Sequence, residues 1–568
     1  MTPRTRSAGA ALWLALLATF VRGEEKPGEK PAPEAAGGSF RFTDISREAG
    51  IAGAITLSGR PGKDHLLDSA GTGAAFLDFD RDGKLDIYIV NGWRLDGSRI
   101  VEKGRNTLFR GKGGGGFEDV TAKAKVSGEG HWASGAFAAD HDGDGWTDIL
   151  VTNFGPNLLY RNRGDGTFEE IGERAGIRAP AWNTGAAFFD AEGDGDLDLY
   201  IAAYIDCTLD DVLRAERTLD WKGLEKVAAG PFGMRGGLDR FFRAEPGGRF
   251  VEASAAAGFE DRAAAFGFAV RAADFDSDGD ADVFVANDSD ANYYFRNDGK
   301  GRFEEMGLIA GCAYNANASA QASMGIAAGD VTGDGITDIF VTTFAEDTSS
   351  LYRGIGDGLF EDATAVRGIV KPTYLPLAWG VAMADLDADG DLDIVCSNGH
   401  IYPQVDAHPS RGQTYAQKAT LLENRGDTFV DATERAGPGF EPARSSRGLA
   451  VGDIDDDGDC DILMTALDSP PVLLQNDGPA GSWLIVALED ERGPIAPIGA
   501  VVTVTAGGRT MRRDVAAGDS YLSTHDPRPH FGLGAAGKAE KVEVRWPGGR
   551  VSVLSDVPAR HILRIRRP

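Results

Sequence analysis

Asp385-Leu386-Asp387-Ala388-Asp389-Gly390-Asp391-Leu392-Asp393 lies between two apolar runs, Trp379-Gly380-Val381-Ala382-Met383-Ala384 before it and Ile394-Val395 after it. Four or more carboxylates in one turn repel one another unless a hard, oxygen-seeking cation neutralises them, and Ca2+ is the usual one. Alternate residues of a tight loop aim their oxygens inward, so positions 1, 3 and 5 converge, glycine at position 6 permits the bend, and position 9 closes the site. An EF-hand would need flanking helices and a Glu at position 12. Strands flank this turn, and the first copy has Ile89 at that place.

Copies of the turn begin at Asp78, Asp140, Asp190, Asp274, Asp330, Asp385 and Asp453. The expected metal ligands are Asp78, Asp80, Asp82 and Asp86; Asp140, Asp142, Asp144 and Asp148; and Asp190, Glu192, Asp194 and Asp198. They continue with Asp274, Asp276, Asp278 and Asp282; Asp330, Asp334 and Asp338; Asp385, Asp387, Asp389 and Asp393; and Asp453, Asp455, Asp457 and Asp461. The fifth copy has Thr332 at position 3, so it has three carboxylates and should bind most weakly. Up to seven Ca2+ ions are expected, in a structural role: each loop joins two strands of one hairpin, and no acid-base groups accompany it.

Around every turn the grammar repeats. A strand of small and apolar residues precedes it and a β-branched strand follows. A third strand carries Leu-Tyr-Arg-Asn or a variant (Leu159-Tyr160-Arg161-Asn162 is the full form), and a Gly-rich turn leads to a fourth strand headed by Phe. Intervals of 50 to 84 residues with four strands each mean propeller blades rather than a solenoid. The chain therefore reads as all-β: a seven-bladed β-propeller with Ca2+-binding hairpin loops over residues 39–477, then a small all-β domain over 478–568. The long third interval holds an insertion at about 204–237, whose middle, 209–229, reads as an amphipathic helix. The Phe-x-Asp signal at Phe42 precedes the first turn, so residues 40–45 should supply the outer strand of the last blade and close the ring. In the C-terminal domain short strands at 483–488, 500–505, 509–515, 541–546 and 562–565 suggest a sandwich or a partly open barrel.

At 568 residues and a net charge of -29, the chain lacks the basic footprint that nucleic acid or an anionic membrane requires. Seven Ca2+ ions would bring about 14 positive charges, so the acidity is mainly a metal-site signature. Residues 1–23 read as a secretory signal peptide, with Arg4 and Arg6 before an apolar run at 8–21, and 24–38 as a flexible linker. The expected setting is secreted, periplasmic or cell-surface, without membrane insertion after signal cleavage. Cys207, Cys312, Cys396 and Cys460 permit three pairings, of which the sequence chooses none.

The turns and the Leu-Tyr-Arg-Asn…Gly-Asp-Gly-Thr-Phe segments resemble FG-GAP/VCBS repeats, the blade units of integrin-α-type propellers. Gly499-Ala500-Val501-Val502-Thr503-Val504, Gly518-Asp519-Ser520-Tyr521-Leu522-Ser523, His530-Phe531-Gly532-Leu533-Gly534 and Val542-Glu543-Val544-Arg545-Trp546-Pro547-Gly548-Gly549 resemble an ASPIC/UnbV domain. The combination resembles the cartilage acidic protein-like family. That resemblance implies secretion, Ca2+ binding and adhesion-like or matrix-like roles, with no established reaction. Relatives often carry a second Cys before the Gly-Pro of the insertion, where this chain has Ala229 before Gly230-Pro231, so Cys207 is expected to lack that partner.

The expected function is a binding or adhesion module for an extracellular protein or glycan. The alternative is an extracellular propeller enzyme acting on polysaccharide, which a carboxylate cluster in the central funnel would favour. No catalytic residue and no organic cofactor site is expected. Ser520 and His525 lack a nucleophile elbow; Gly111, Gly113 and Gly116 form a GxGxxG inside a hairpin turn, the wrong context for a nucleotide; His400 and Tyr402 read as a packed loop.

Overall fold

The repeat grammar produces antiparallel sheets in a computed structural model that describes residues 40–214, 218–259, 265–478 and 481–568. The expected signal peptide and linker lie outside the described residues. Among the described residues, seven sheets share one plan: four antiparallel strands in a meander, one with a short fifth strand added. Their innermost strands are Ala74–Leu77, Trp132–Ala139, Asn183–Phe189, Gly267–Ala273, Ile326–Gly329, Ala378–Ala384 and Ser446–Gly452. Each inner strand packs on the one before and the one after, and the seventh packs on the first, so the sheets close into a ring, a β-propeller. The inner strands are rich in Ala and Gly because seven of them crowd around one axis. Gly73, Gly185 and Gly380 lie where an added Cβ would come within 1.6 to 2.7 Å of a neighbouring backbone or side chain.

Ring closure follows the expected route. Phe42–Asp44 pairs antiparallel with Val472–Asn476, in the register Phe42↔Asn476 and Asp44↔Leu474. Phe42 is fully buried with its ring 5.3 Å from that of Phe440, and Ser46 Oγ accepts from Leu473 N at 2.9 Å. Deleting residues 40–45 should therefore cost at least the ~3–5 kcal/mol of a buried Phe and be read as an earlier thermal transition; a deletion variant that melts with the parent would show that the ring closes without this strand.

The insertion differs from expectation. Among the described residues of the insertion, Leu209–Arg214 is helical, and Thr218–Trp221 and Leu224–Ala228 form a β-hairpin. Lys222 and Gly223, with φ of 45° and 86°, make a left-handed two-residue turn that a continuous helix could not contain. Apolar spacing alone did not separate the two outcomes, because Leu219, Leu224 and Val227 fit either period. The insertion leaves the end of Asp198–Ala203 that points away from the acidic turn, so it covers the other face of the ring. Val212, Leu224 and Val227 pack there with Trp182, Tyr204, Trp379 and Tyr402.

The C-terminal segment is a sandwich of two four-stranded sheets. One joins Gly493-Pro494, Ser482–Asp490, His530–Gly534 and His561–Arg566; the other runs Arg509–Asp514, Val501–Ala506, Lys538–Arg545, Val551–Pro558. It is not separate from the ring, and residues 38–568 form one compact unit. The Gly518–Ser523 stretch runs into the centre of the ring, a placement that strand patterning could not show. All four cysteines are free thiols, three of them buried.

Candidate metal centres and the plugged channel

Each acidic turn is held by the same small set of bonds. Asp at position 9 spends both carboxylate oxygens on backbone: one accepts from the N–H of position 2, the other from an N–H of the third strand. For Asp86 these donors are Phe79 and Gly111, and for Asp148 they are His141 and Asn162. Asp198, Asp282, Asp338, Asp393 and Asp461 repeat the pair, all seven at 2.7 to 3.2 Å. The residue expected simply to close the metal site thus also fixes the turn to the sheet. Position 6 is glycine in every copy with φ between 83° and 106°, the left-handed region that side chains avoid. In six copies its N–H donates to the position 1 Asp, as Gly83 does to Asp78 at 2.9 Å.

The oxygens left over decide what the turns can hold. Asp80 Oδ1, Asp140 Oδ1, Glu192 Oε2, Asp274 Oδ1, Asp385 Oδ1, Asp387 Oδ2 and Asp455 Oδ1 are buried without a hydrogen-bond partner. They fall in loops one, two, three, four, six and seven, on residues at positions 1 and 3. Oxygens of Asp78, Asp80 and Asp86, of Asp140, Asp142 and Asp144, of Asp274, Asp276 and Asp278, and of Asp385, Asp387 and Asp389 approach within 4.8 Å of one another in each group. An unpartnered buried carboxylate oxygen is costly. A hard cation taking several oxygens at once would remove that cost, so these residues fit Ca2+. Among the described residues the fifth loop shows no such oxygen: Asp330 accepts from Gly333, Asp334 and Gly335 as a saturated turn. This is the loop in which Thr332 stands at position 3.

The third strand supplies parts that the repeat grammar displayed without a role. Arg161 holds Asp142 at 2.5 Å and Asp144 at 2.7 Å, and Arg110 does the same for Asp80 and Asp82. Each guanidinium steadies one oxygen of a position 3 and of a position 5 carboxylate, an outer-shell function. The other oxygen stays unpartnered in Asp80, while those of Asp82, Asp142 and Asp144 accept from the backbone N–H groups of Lys84, Asp144 and Trp146. The Asn that follows ties blade to blade. Asn162 Nδ2 donates to Phe79 O of the preceding loop at 2.8 Å, and Asn297, Asn424 and Asn476 reach Ala191, Val331 and Leu386 likewise. His141, at position 2 of the second loop, was also missed; its Nδ1 lies 2.5 Å from Asp148 Oδ2.

Burial, with repulsion between neighbours, pushes the loop carboxyls up: Asp78 to about 6, Asp140, Asp338, Asp385 and Asp453 to about 7, Asp282 to about 8. In the metal-free fold these groups hold protons that the unfolded chain releases near its ordinary value of 3.8. The sign follows: their contribution to metal-free stability is complete below about 4 and is lost as pH rises through about 7. The chelated protein should melt progressively earlier from pH 5 to 8, and apparent Ca2+ affinity should rise over the same range as protons leave the ligands. Calorimetric titrations at pH 5.5 and 7.5 that give equal affinity would contradict this.

The centre of the ring is occupied by the chain itself. Phe76 N donates to Thr524 O, Ala136 N to Leu522 O, Phe188 N to Ala517 O and Ile326 N to Ser520 O, at 3.0 to 3.1 Å. Val381 N donates to Ser520 Oγ at 2.9 Å, Val451 N to His525 Nδ1 at 3.2 Å, and Arg271 pairs with Asp519 at 3.3 Å. All seven inner strands are therefore engaged by residues 517–525. Tyr521, fully buried, meets the rings of Trp379 and Phe268 edge-on, with centroids 4.9 and 5.6 Å away, and donates to Ala70 O at 3.0 Å. Its tip meets the aromatic layer beneath the insertion. Ser520 and His525 are thus wall contacts. His400, fully buried with Nδ1 accepting from Tyr402 N, is pushed down to about 3 by burial.

Residues 78–151, 140–201, 274–341 and 330–396 match the family described as FG-GAP-like repeat, and residues 492–568 match ASPIC and UnbV. The chain carries FG-GAP-like repeats and an ASPIC and UnbV domain. Cartilage acidic protein 1 of Homo sapiens is 27% identical over 276 residues, which cover 40% of this chain and 41% of that protein. The Xenopus tropicalis protein of the same name is 25% identical over 507 residues, covering 85% of this chain and 71% of that one. The match thus spans about two-fifths of the human relative's length. Among solved structures, an Agrocybe aegerita lectin described as recognising non-reducing terminal N-acetylglucosamine aligns at a TM-score of 0.39 and 17% identity, over 70% of this chain and 86% of that one. YCF48 bound to D1 peptide aligns at 0.40 and 8%, over 78% and 99%. Likenesses this loose bear on neither ligand nor reaction. In these terms, the FG-GAP-like repeats provide the ring and its acidic loops, and the ASPIC and UnbV domain provides the plug.

The domain also sits on the acidic-loop face. Arg528 donates to Asp453 O at 2.6 Å and Asp456 at 2.8 Å; Arg509 donates to Asp389 O at 3.0 Å and to Asp391. Arg545 reaches Asp274 Oδ2 at 3.2 Å, and Arg81 of the first loop reaches back to Asp490 at 3.0 Å. No helix among the described residues is long and apolar enough to cross a membrane.

Proposed function

We propose that this chain is a secreted, Ca2+-loaded binding module, adhesion-like in character, that presents the rim and loops of a rigid disc to an extracellular protein or glycan. The observation that carries this reading is the filled channel. A propeller enzyme needs an accessible funnel with converging polar groups, and here residues 517–525 bond to every inner strand and the insertion covers the far face. The acidic loops act within the scaffold: their unpartnered oxygens are buried in turns that the position 9 aspartates pin to the sheet. When bound, Ca2+ supplies the charge that lets these carboxylates share a turn. The relatives' name, cartilage acidic protein 1, supports an extracellular setting.

The test is a screen of immobilised extracellular proteins and glycans with the full chain in 1 mM Ca2+. Saturable binding to a defined class, lost on chelation together with the fold, is the expected result. A chain that binds none of them and instead releases new ends from a polysaccharide would replace this reading with the enzymatic one.

A further inference from the structure

The ASPIC and UnbV domain touches the acidic loops in a selective way. In the sixth and seventh loops its arginines take atoms outside the expected ligand set, while in the fourth Arg545 takes Oδ2 of Asp274. Arg528 takes the carbonyl of Asp453 and the side chain of Asp456, which is position 4; Arg509 takes the carbonyl of Asp389 and the side chain of Asp391, which is position 7. Position 4 lies outside the expected ligand set, and the position 7 Asp391 of the sixth loop is spent on Arg509, whereas the position 7 Asp459 of the seventh loop keeps a buried, unpartnered Oδ1. His530 Nε2 lies 2.9 Å from Gly458 O, and Gly534 N donates to Ala388 O at 3.0 Å. Carbonyl contacts of this kind depend on the loop's backbone being held in one shape.

The sixth loop joins metal site and domain through a single carboxylate. Asp385 is 2% exposed; its Oδ2 accepts from Gly532 N at 2.8 Å and from Gly390 N at 3.0 Å, while its Oδ1 has no partner. One oxygen is held by the ASPIC and UnbV domain and the other is aimed into the cluster with Asp387 and Asp389. Gly532 is needed there for space: a Cβ on it would lie 2.2 Å from Asp385 Oδ2 and 2.5 Å from the Ala388 backbone. The residues 517–525 that fill the channel lie just ahead of Arg528, His530 and Gly532 in the chain, so whatever seats these three also seats the plug.

We propose that Ca2+ occupancy of the sixth and seventh loops and seating of the C-terminal plug are positively linked: the ion fixes the loop shape that the domain reads, and the seated domain fixes the ligand that the ion needs. Linkage is reciprocal, so each strengthens the other by the same factor. The inference rests on the Ca2+ reading above and adds to it a device by which extracellular Ca2+ sets whether the channel is closed.

Amide exchange of the full chain, in 1 mM Ca2+ and in excess chelator, tests it. Chelation should speed exchange on the order of 10-fold in residues 385–393, 453–461 and 517–534, beyond any change in the outer strands such as Phe168–Glu170. Loops that speed up while 517–534 does not would overturn the linkage and leave the Ca2+ reading intact. Equal acceleration everywhere, outer strands included, would mean global loosening and overturn it too. No change anywhere, with no heat of Ca2+ binding, would overturn both. Gly532→Ala should raise exchange of 517–534 in saturating Ca2+ and weaken Ca2+ binding several-fold; Arg509→Ala with Arg528→Ala carries the same expectation should Gly532→Ala fail to fold. Variants that keep wild-type exchange and Ca2+ affinity would overturn the proposal.

Discussion

Removing Ca2+ should lower the melting temperature of this protein by on the order of 15 °C. Six loops carry a buried, unpartnered carboxylate oxygen directed into the cluster. A ligand at 100 times its dissociation constant adds about 2.7 kcal/mol per site, so six sites together supply roughly 16 kcal/mol. An unfolding entropy of about 2 cal/mol/K per residue gives roughly 1 kcal/mol/K for a chain of this length, and the quotient is the expected shift. The figure belongs to a cooperative unit, which the interlocked ring and plug provide. Position matters as well as number. Asp385→Asn, in a loop whose Oδ1 is orphaned, should remove one Ca2+ from the stoichiometry and a share of the shift. Asp330→Asn, in the loop whose first carboxylate is already saturated by three N–H groups, should change the Ca2+ count little. Scanning calorimetry with and without chelator checks both. A melt that does not respond to chelation would show that the hydrogen bonds of the position 9 aspartates are enough to hold the turns.

What was legible in advance, and what was not, follows from the range of the physics involved. The acidic turns, the blade strands and the closing strand at Phe42 are written locally: each depends on residues within one hairpin or on a strand signature missing from one end of the chain. The two faces of the ring were not legible, because they depend on which residues meet across hundreds of positions. Apolar spacing in 209–229 fitted a helix, and the Lys222-Gly223 turn made it a hairpin instead. Ser520 and His525 drew notice as a nucleophile and a base, yet they bond to Val381 and Val451 across more than seventy residues. Gly532 looked like part of a family signature, and only the 2.8 Å bond to Asp385 shows why a side chain does not fit there. Arg110, Arg161 and Asn162 were visible as a repeated word, Leu-Tyr-Arg-Asn; their meaning needed the neighbouring blade, whose carbonyl the Asn reaches.

A chain ending at residue 477 should not form a stable ring, although every blade would still be present. Four inner-strand amides, those of Phe76, Ala136, Phe188 and Ile326, lose their acceptors on residues 517–524, and Val381 and Val451 lose Ser520 and His525. Each lost bond is worth about 1 kcal/mol. Tyr521 fills the space between Trp379, Phe268 and the Ala70 carbonyl, and emptying such a space costs roughly 3–5 kcal/mol. The total, on the order of 10 kcal/mol, is comparable to the whole stability of a typical domain. The ring would also be left with inner strands whose small side chains were chosen to admit a central segment: Gly73 lies where a Cβ would come within 1.6 Å of Leu522 O. Water in that channel could satisfy the amides but not the aromatic layer, so the truncated chain should aggregate or melt without cooperativity. Tyr521→Ala in the full chain isolates the packing part of this loss and should lower the melting temperature by several degrees while leaving the Ca2+ stoichiometry at its parent value. A truncated chain that melts cooperatively within a few degrees of the full one would mean that the inner strands support one another without the plug, and the segment would then be a passenger in the channel rather than its axle.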